Sequence, residues 1–131
     1  MQNDIEKLAS IVVDCGYHLH RNVGPGLLES VYEMVLANRL MQQGLSVQRQ
    51  VPISVEIDGV KFADGFRADI LIENCLLIEI KSAEKLSTAH IKQTMTYLRF
   101  LNQPLGLLIN FGGVTFREGI KRIMNNHMIK P

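Results

Sequence analysis

The chain is predicted to fold as an α/β (α+β) domain with helices packed on a mixed central sheet, and three observations carry that prediction. Apolar residues recur at helical spacing through the first forty or so positions. From Leu45 the period drops to two, and a further helical stretch then separates two short, oily strands. At 131 residues and 47% hydrophobic content, residues 1–131 are expected to bury one core and form a single domain.

Ile5, Leu8, Ile11, Val12, Cys15 and Leu19 predict an amphipathic helix over residues 4–21. Asn22-Val23-Gly24-Pro25-Gly26 breaks it, since two glycines around a proline disfavour helix. A second helix is expected over 27–43, with Leu28, Val31, Val35, Leu36 and Leu40 inward and Gly44 as a left-handed cap. Residues 47–57 read as a strand in which Pro52 suggests an edge or a bulge. Asp58-Gly59 signals a tight hairpin and a return strand over 60–64. Strands follow at 66–72 and 76–81. Ser87 is placed as N-cap of a third helix ending near Asn102. A buried strand over 105–110, a Gly112-Gly113 turn and a last helix over 117–126 complete the reading.

Charge and cysteine content narrow the function classes. With 14 basic and 13 acidic side chains the formal net charge is +1, so any nucleic-acid binding should be modest and salt-sensitive. Cys15 and Cys75 stand apart without zinc spacing or a disulfide framework, which fits a reducing cytoplasm. Neither a leader nor a membrane-spanning apolar run is expected. The four histidines lack metal spacing, the serines lack a nucleophile elbow, and Asn110-Phe111-Gly112-Gly113 is too short for a phosphate loop.

The chemistry concentrates in Phe66-Arg67-Ala68-Asp69-Ile70-Leu71-Ile72 and Leu76-Leu77-Ile78-Glu79-Ile80-Lys81. Burying an unpaired charge is costly, so charges inside such oily strands need a reason. If Glu73-Asn74-Cys75 is a three-residue loop, Ile72 pairs with Leu76, Leu71 with Leu77, Asp69 with Glu79 and Arg67 with Lys81. Asp69, Glu79, Arg67 and Lys81 then share one face, while Ala68, Ile70, Ile72, Leu76, Ile78 and Ile80 share the other. A two-residue loop would separate the carboxylates. Facing carboxylates repel unless a cation lies between them, and oxygen ligands with open positions suit Mg²⁺ or Mn²⁺. Lys81 would hold an attacking water or stabilise the transition state. The bland alternative is a solvent-facing ion-pair network of Asp69, Glu79, Lys81 and Arg67.

On the third helix, His90, Gln93, Thr94 and Tyr97 form a polar stripe beside the core stripe of Ile91, Met95 and Leu98. Gln93 is a candidate to orient water or phosphate. His90, Tyr97 and Arg67 are candidate substrate contacts, with an ordinary solvated face as the alternative. On the second helix Glu29 is either a site residue or a first-turn carboxylate favouring the helix dipole, and Glu33 is expected to be solvated.

Gly26-Leu27-Leu28-Glu29-Ser30-Val31-Tyr32 resembles the signature of the GxxExxY proteins, a bacterial group of the PD-(D/E)xK nuclease superfamily. The similarity runs on through Arg67-Ala68-Asp69, Glu79-Ile80-Lys81, Gln93 with Tyr97-Leu98, Gly106 to Gly112, and Gly119-Ile120-Lys121-Arg122-Ile123. It implies a restriction-endonuclease-like core, Asp69 and Glu79 as metal ligands and Lys81 as the catalytic lysine. Glu29 would match the acidic residue of an early helix, and Gln93 the polar residue after Glu-x-Lys. Ala68 stands where the superfamily motif has its proline. The expected activity is Mg²⁺-dependent (or Mn²⁺-dependent) hydrolysis of DNA or RNA, with the Ile80 carbonyl as an extra metal ligand. The rivals are a non-cutting nuclease-like scaffold for nucleic acid or protein, and a helper subunit active only in a homodimer or larger complex.

Overall fold

The computed structural model describes residues 2–126, with side chains from residue 4 onward; His127 lies outside the described residues. Helices α1 (Gln2–Val23) and α2 (Glu29–Gln42) precede β1 (Val47–Ile57), β2 (Val60–Ile72) and β3 (Leu76–Lys81). Helix α3 (Thr88–Leu101), β4 (Leu105–Asn110), a 3₁₀ turn (Arg117–Gly119) and β5 (Ile120–Met124) follow. The strands form a mixed five-stranded sheet in the order β1-β2-β3-β4-β5. Among the described strands only the β3–β4 pair is parallel, because α3 carries the chain across between them.

One apolar layer joins α1 and α2 to Ile70, Ile72, Leu76, Ile78, Ile80, Leu107 and Ile109. The other joins α3, through Leu98, to Leu77, Leu108, Ala68 and Ile123. Strand β4 is buried throughout, as a strand with neighbours on both edges and helices on both faces must be. This is the expected α/β architecture of a restriction-endonuclease-like core.

The local signals mostly hold. Asp58 and Gly59 both adopt positive φ, at 53° and 79°, and close the β1–β2 hairpin. Pro52 lies on the edge strand β1. Glu73 and Asn74 are left-handed, and the three-residue loop sets Ile72 against Leu76 and Ile70 against Ile78. Ser87 caps α3.

Four expectations are corrected. The segments 60–64 and 66–72 are one strand, bulged where Ile53 pairs with Phe66 but Val55 with Phe62. Gly65 permits the bulge, since a Cβ there would come within 2.4 Å of Val55 Cγ2. The last helix is instead a 3₁₀ turn and a strand, antiparallel to β4, because β4 would otherwise leave its outer edge unpaired. Helix α2 buries Tyr32, Glu33, Leu36, Ala37 and Leu40, leaving Leu28 and Val31 exposed. Its rotation follows Tyr32, which stacks on Phe111 with centroids 4.7 Å apart and planes 3° from parallel. Finally, Thr94 is fully buried and donates to the His90 carbonyl, so it leaves the polar stripe.

Candidate functional site

The regular β2–β3 ladder ends at Ile70–Ile78, and the next pair is joined by side chains. The Asp69 amide donates to Glu79 Oε2 at 2.9 Å, and the Ile80 amide donates to Asp69 Oδ2 at 2.8 Å. Each carboxylate thus replaces a missing ladder partner on the opposite strand. The two are brought together as the hairpin register requires.

A change of face accompanies this arrangement. Val47 on β1 and Ile70 on β2 pack in the α1–α2 layer, whereas Val51, Ile53 and Ala68 pack in the α3 layer. Regular alternation would keep 47 with 51 and 68 with 70. Both strands therefore cross between layers at one level, where Arg49 pairs with Ile70 and Val51 with Ala68. The expected shared face for Ala68 and Ile70 is corrected accordingly. Gln50, at that crossing, is held at φ 51°. A left-handed glutamine costs about 1–2 kcal/mol, and such strain persists only where surrounding contacts impose it. Here Gln50 Nε2 donates to Glu33 Oε1 at 2.8 Å and reaches Asp69 Oδ1 at 3.4 Å.

Glu33, expected to be solvated, is 5% exposed and forms an ion pair with Arg49 at 2.8 Å. Among the described residues no ion pair joins Asp69 or Glu79 to any cation, so the ion-pair network does not form. Arg67 instead pairs with Asp64 at 3.4 Å on the exposed surface. Lys81 donates from Nζ to Gln93 Oε1 at 3.2 Å, which ties β3 to α3.

Electrostatics follow from burial. Desolvation, then the charge of Asp69, pushes the Glu79 carboxyl up to about 8, against the opposing hydrogen bond from the Asp69 amide and the charge of Lys81. Asp69 is also raised, by burial first and with the Ile80 amide pulling the other way. The pair therefore retains a proton near neutrality. Tyr97 is raised by burial and then by the charges of Glu79 and Asp69, which puts its hydroxyl within their field.

The donor set fits a hard divalent cation. Asp69 Oδ1 and Glu79 Oε1 are the oxygens not committed to backbone amides, and a cation would relieve the repulsion that keeps the proton bound. Among the described residues no group of three His, Cys, Asp or Glu side chains is arranged to hold a metal. Two carboxylates with water and a backbone carbonyl suit Mg²⁺, which retains several waters.

Glu29 reaches the site's edge from α2. It accepts from the Ser82 amide at 3.3 Å, one residue past Lys81, while Ser82 Oγ donates to the Leu27 carbonyl at 2.7 Å. The turn before it is shaped by Gly26, at φ 113°, and by the Tyr32 hydroxyl, which donates to Gly24 O and accepts from the Leu27 amide. The Gly26-x-x-Glu29-x-x-Tyr32 spacing is thus one local device. His90 serves α3 as a cap: its Nδ1 accepts from the Ser87 amide while Ser87 Oγ accepts from the His90 amide.

Sequence reasoning missed Gln50, Glu33 and Asn110. Asn110 is 2% exposed; its Oδ1 accepts from the Ala83 and Gly112 amides and its Nδ2 donates to the Ala83 carbonyl. It pins the loop that leaves Lys81. Gly112 and Gly119 leave room for this, since a Cβ on either would come within 2.4 Å of Ala83 or Asn110 backbone oxygen. A polar residue ending an oily strand before two glycines was the available signal.

Comparison with known proteins yields one finding. A family model of the PD-(D/E)XK nuclease superfamily matches residues 6–123. No curated protein and no solved structure gave a significant match.

Proposed function

The chain belongs to the PD-(D/E)XK nuclease superfamily, and from that premise we propose that it is a Mg²⁺-dependent (or Mn²⁺-dependent) phosphodiesterase acting on DNA or RNA. Within the superfamily we group it with the bacterial GxxExxY proteins, on the strength of Gly26, Glu29 and Tyr32. The reading takes the chain as one nuclease-like domain working in the cytoplasm.

One observation carries it: Asp69 and Glu79 meet across β2 and β3, each accepting from a backbone amide of the other strand, beside a lysine with which neither forms an ion pair, while burial raises both carboxyls. A structural pair would be matched by a cation or replaced by apolar side chains. Asp69 and Glu79 hold the metal in this proposal, with the Ile80 carbonyl as a further ligand and Glu29 contributing directly or through water. Bound there, Mg²⁺ supplies Lewis acidity and neutralises phosphate charge. Lys81 holds the attacking water and stabilises charge on the phosphate, and Gln93 fixes the Lys81 ammonium. Tyr97, Arg67 and the free Nε2 side of His90 contact substrate.

Calorimetric titration with Mn²⁺ and Mg²⁺, on wild type and Glu79→Ala, tests the metal site; binding should be lost in the variant. With metal present, Lys81→Ala should reduce cleavage by about 100-fold or more while the fold persists. Full activity in both purified variants would refute the assignment.

The net charge of +1 favours a second reading, a nuclease-like scaffold that binds nucleic acid or a protein without cutting. A metal-induced rise in melting temperature that Asp69→Asn removes distinguishes the catalytic reading from this one. A homodimer or larger complex would add the surface a chain of this size lacks for wrapping a duplex. Sedimentation across a concentration series checks it.

A further inference from the structure

On α3, an aromatic cluster leads away from Lys81. Gln93, Tyr97 and Phe100 lie at i, i+4 and i+7 on one stripe, over about 10 Å of helix. Gln93 holds the Lys81 ammonium, and Tyr97 stacks on Phe66 of β2 with centroids 3.9 Å apart and planes 12° from parallel. Phe100 tilts toward Phe66 at 6.4 Å and leaves 39% of its surface in water. The helix that carries this stripe has Lys92 and Arg99, both exposed, and no acidic residue.

Anchoring β2 on α3 accounts for the Phe66–Tyr97 stack. It does not account for a third ring left open beside it, on a helix whose only full charges are positive. An exposed ring beside a half-buried stacked pair, on a helix that carries cations and leads to the proposed phosphodiester site, matches the chemistry of an unpaired strand. Every base offers a π-face, and the backbone between bases offers phosphate. A duplex keeps its bases stacked on each other and shows a protein only their edges and its backbone.

We propose that Phe66, Tyr97 and Phe100 form a base-stacking platform and that the site takes single-stranded nucleic acid. The proposal rests on the phosphodiesterase reading of the neighbouring carboxylates for its substrate class. The base beside the scissile phosphate stacks on the platform, and Lys92 and Arg99 follow the backbone.

Fluorescence anisotropy with the full chain tests this, using labelled oligo-dT and oligo-rU of about 15 nucleotides and a duplex of the same length, with Ca²⁺ in place of Mg²⁺. At least one single strand should bind about tenfold more tightly than the duplex. Phe100→Leu, which keeps apolar bulk but removes the ring, should weaken that strand by about tenfold and leave the duplex unchanged; Phe100→Trp should retain it. Equal or tighter duplex binding, no binding of either strand, or unchanged strand affinity in Phe100→Leu would each overturn the platform. Cleavage assayed separately in Mg²⁺ keeps the two readings apart. Ring-dependent strand binding without cleavage removes the phosphodiesterase and leaves the platform, whereas cleavage with duplex preference does the reverse.

Discussion

A carboxyl that releases its proton only at about pH 8 makes the metal-free protein sensitive to alkali. Between its ordinary value near 4.5 and about 8, folded Glu79 holds a proton that the unfolded chain has lost. Stability therefore falls as pH rises through that window and levels off above it. Thermal melts in EDTA should show the melting temperature dropping from about pH 5 to about pH 8.5. Glu79→Gln keeps an acceptor for the Asp69 amide but removes the charge, so its curve should be flatter and lie above wild type at the alkaline end. Parallel curves for the two proteins would mean that the carboxylate is not strained. If Mg²⁺ binds as proposed, it displaces the same proton, so its affinity should rise with pH over this range. Titrations in buffers of different ionisation enthalpy read that release directly.

Elements of the fold reach the site through side-chain clamps. Asn110, at the end of β4, makes two hydrogen bonds to Ala83 in the loop after β3 and accepts a third from the Gly112 amide just past its own strand. Asn110→Ala would leave the Ala83 and Gly112 amides unmatched and should cost about 2–3 kcal/mol, measured by urea unfolding. The Tyr32 hydroxyl does similar work at the start of α2, so Tyr32→Phe should cost about 1–2 kcal/mol and, on the phosphodiesterase proposal, slow cleavage by loosening the turn before Glu29. An unchanged urea midpoint for Tyr32→Phe would leave the tyrosine of the Gly26-x-x-Glu29-x-x-Tyr32 pattern without its structural role.

For the whole molecule, near-neutral charge limits how strongly salt can control binding. If Lys81, Lys92 and Arg99 are the cations that meet phosphate, three contacts give a slope of log affinity against log salt of about −2 on a single strand. A slope steeper than about −5 would require a basic surface outside α3 and the site. No helix among the described residues is long and apolar enough to cross a membrane.

Much of this protein is legible in the chain itself wherever the deciding interactions are local. Asp58-Gly59, Ser87 and the Glu73-Asn74-Cys75 loop set their own turns. The loop's length, with a side-chain period of two, placed Asp69 beside Glu79 and Lys81 close by. Tertiary structure decided what depends on distant partners. Residues 117–126 became a turn and a strand because β4 needed an edge partner. Helix α2 turned Glu33 inward because Tyr32 packs on Phe111, 79 positions further on. The crossing at Gln50 and Asp69 arises only where two helical layers compete for the same strands. The stacking cluster joins β2 to α3 across thirty-one residues from Phe66 to Tyr97. Periodicity reports which residues share an element's face; which neighbour that face meets is settled only when the layers pack.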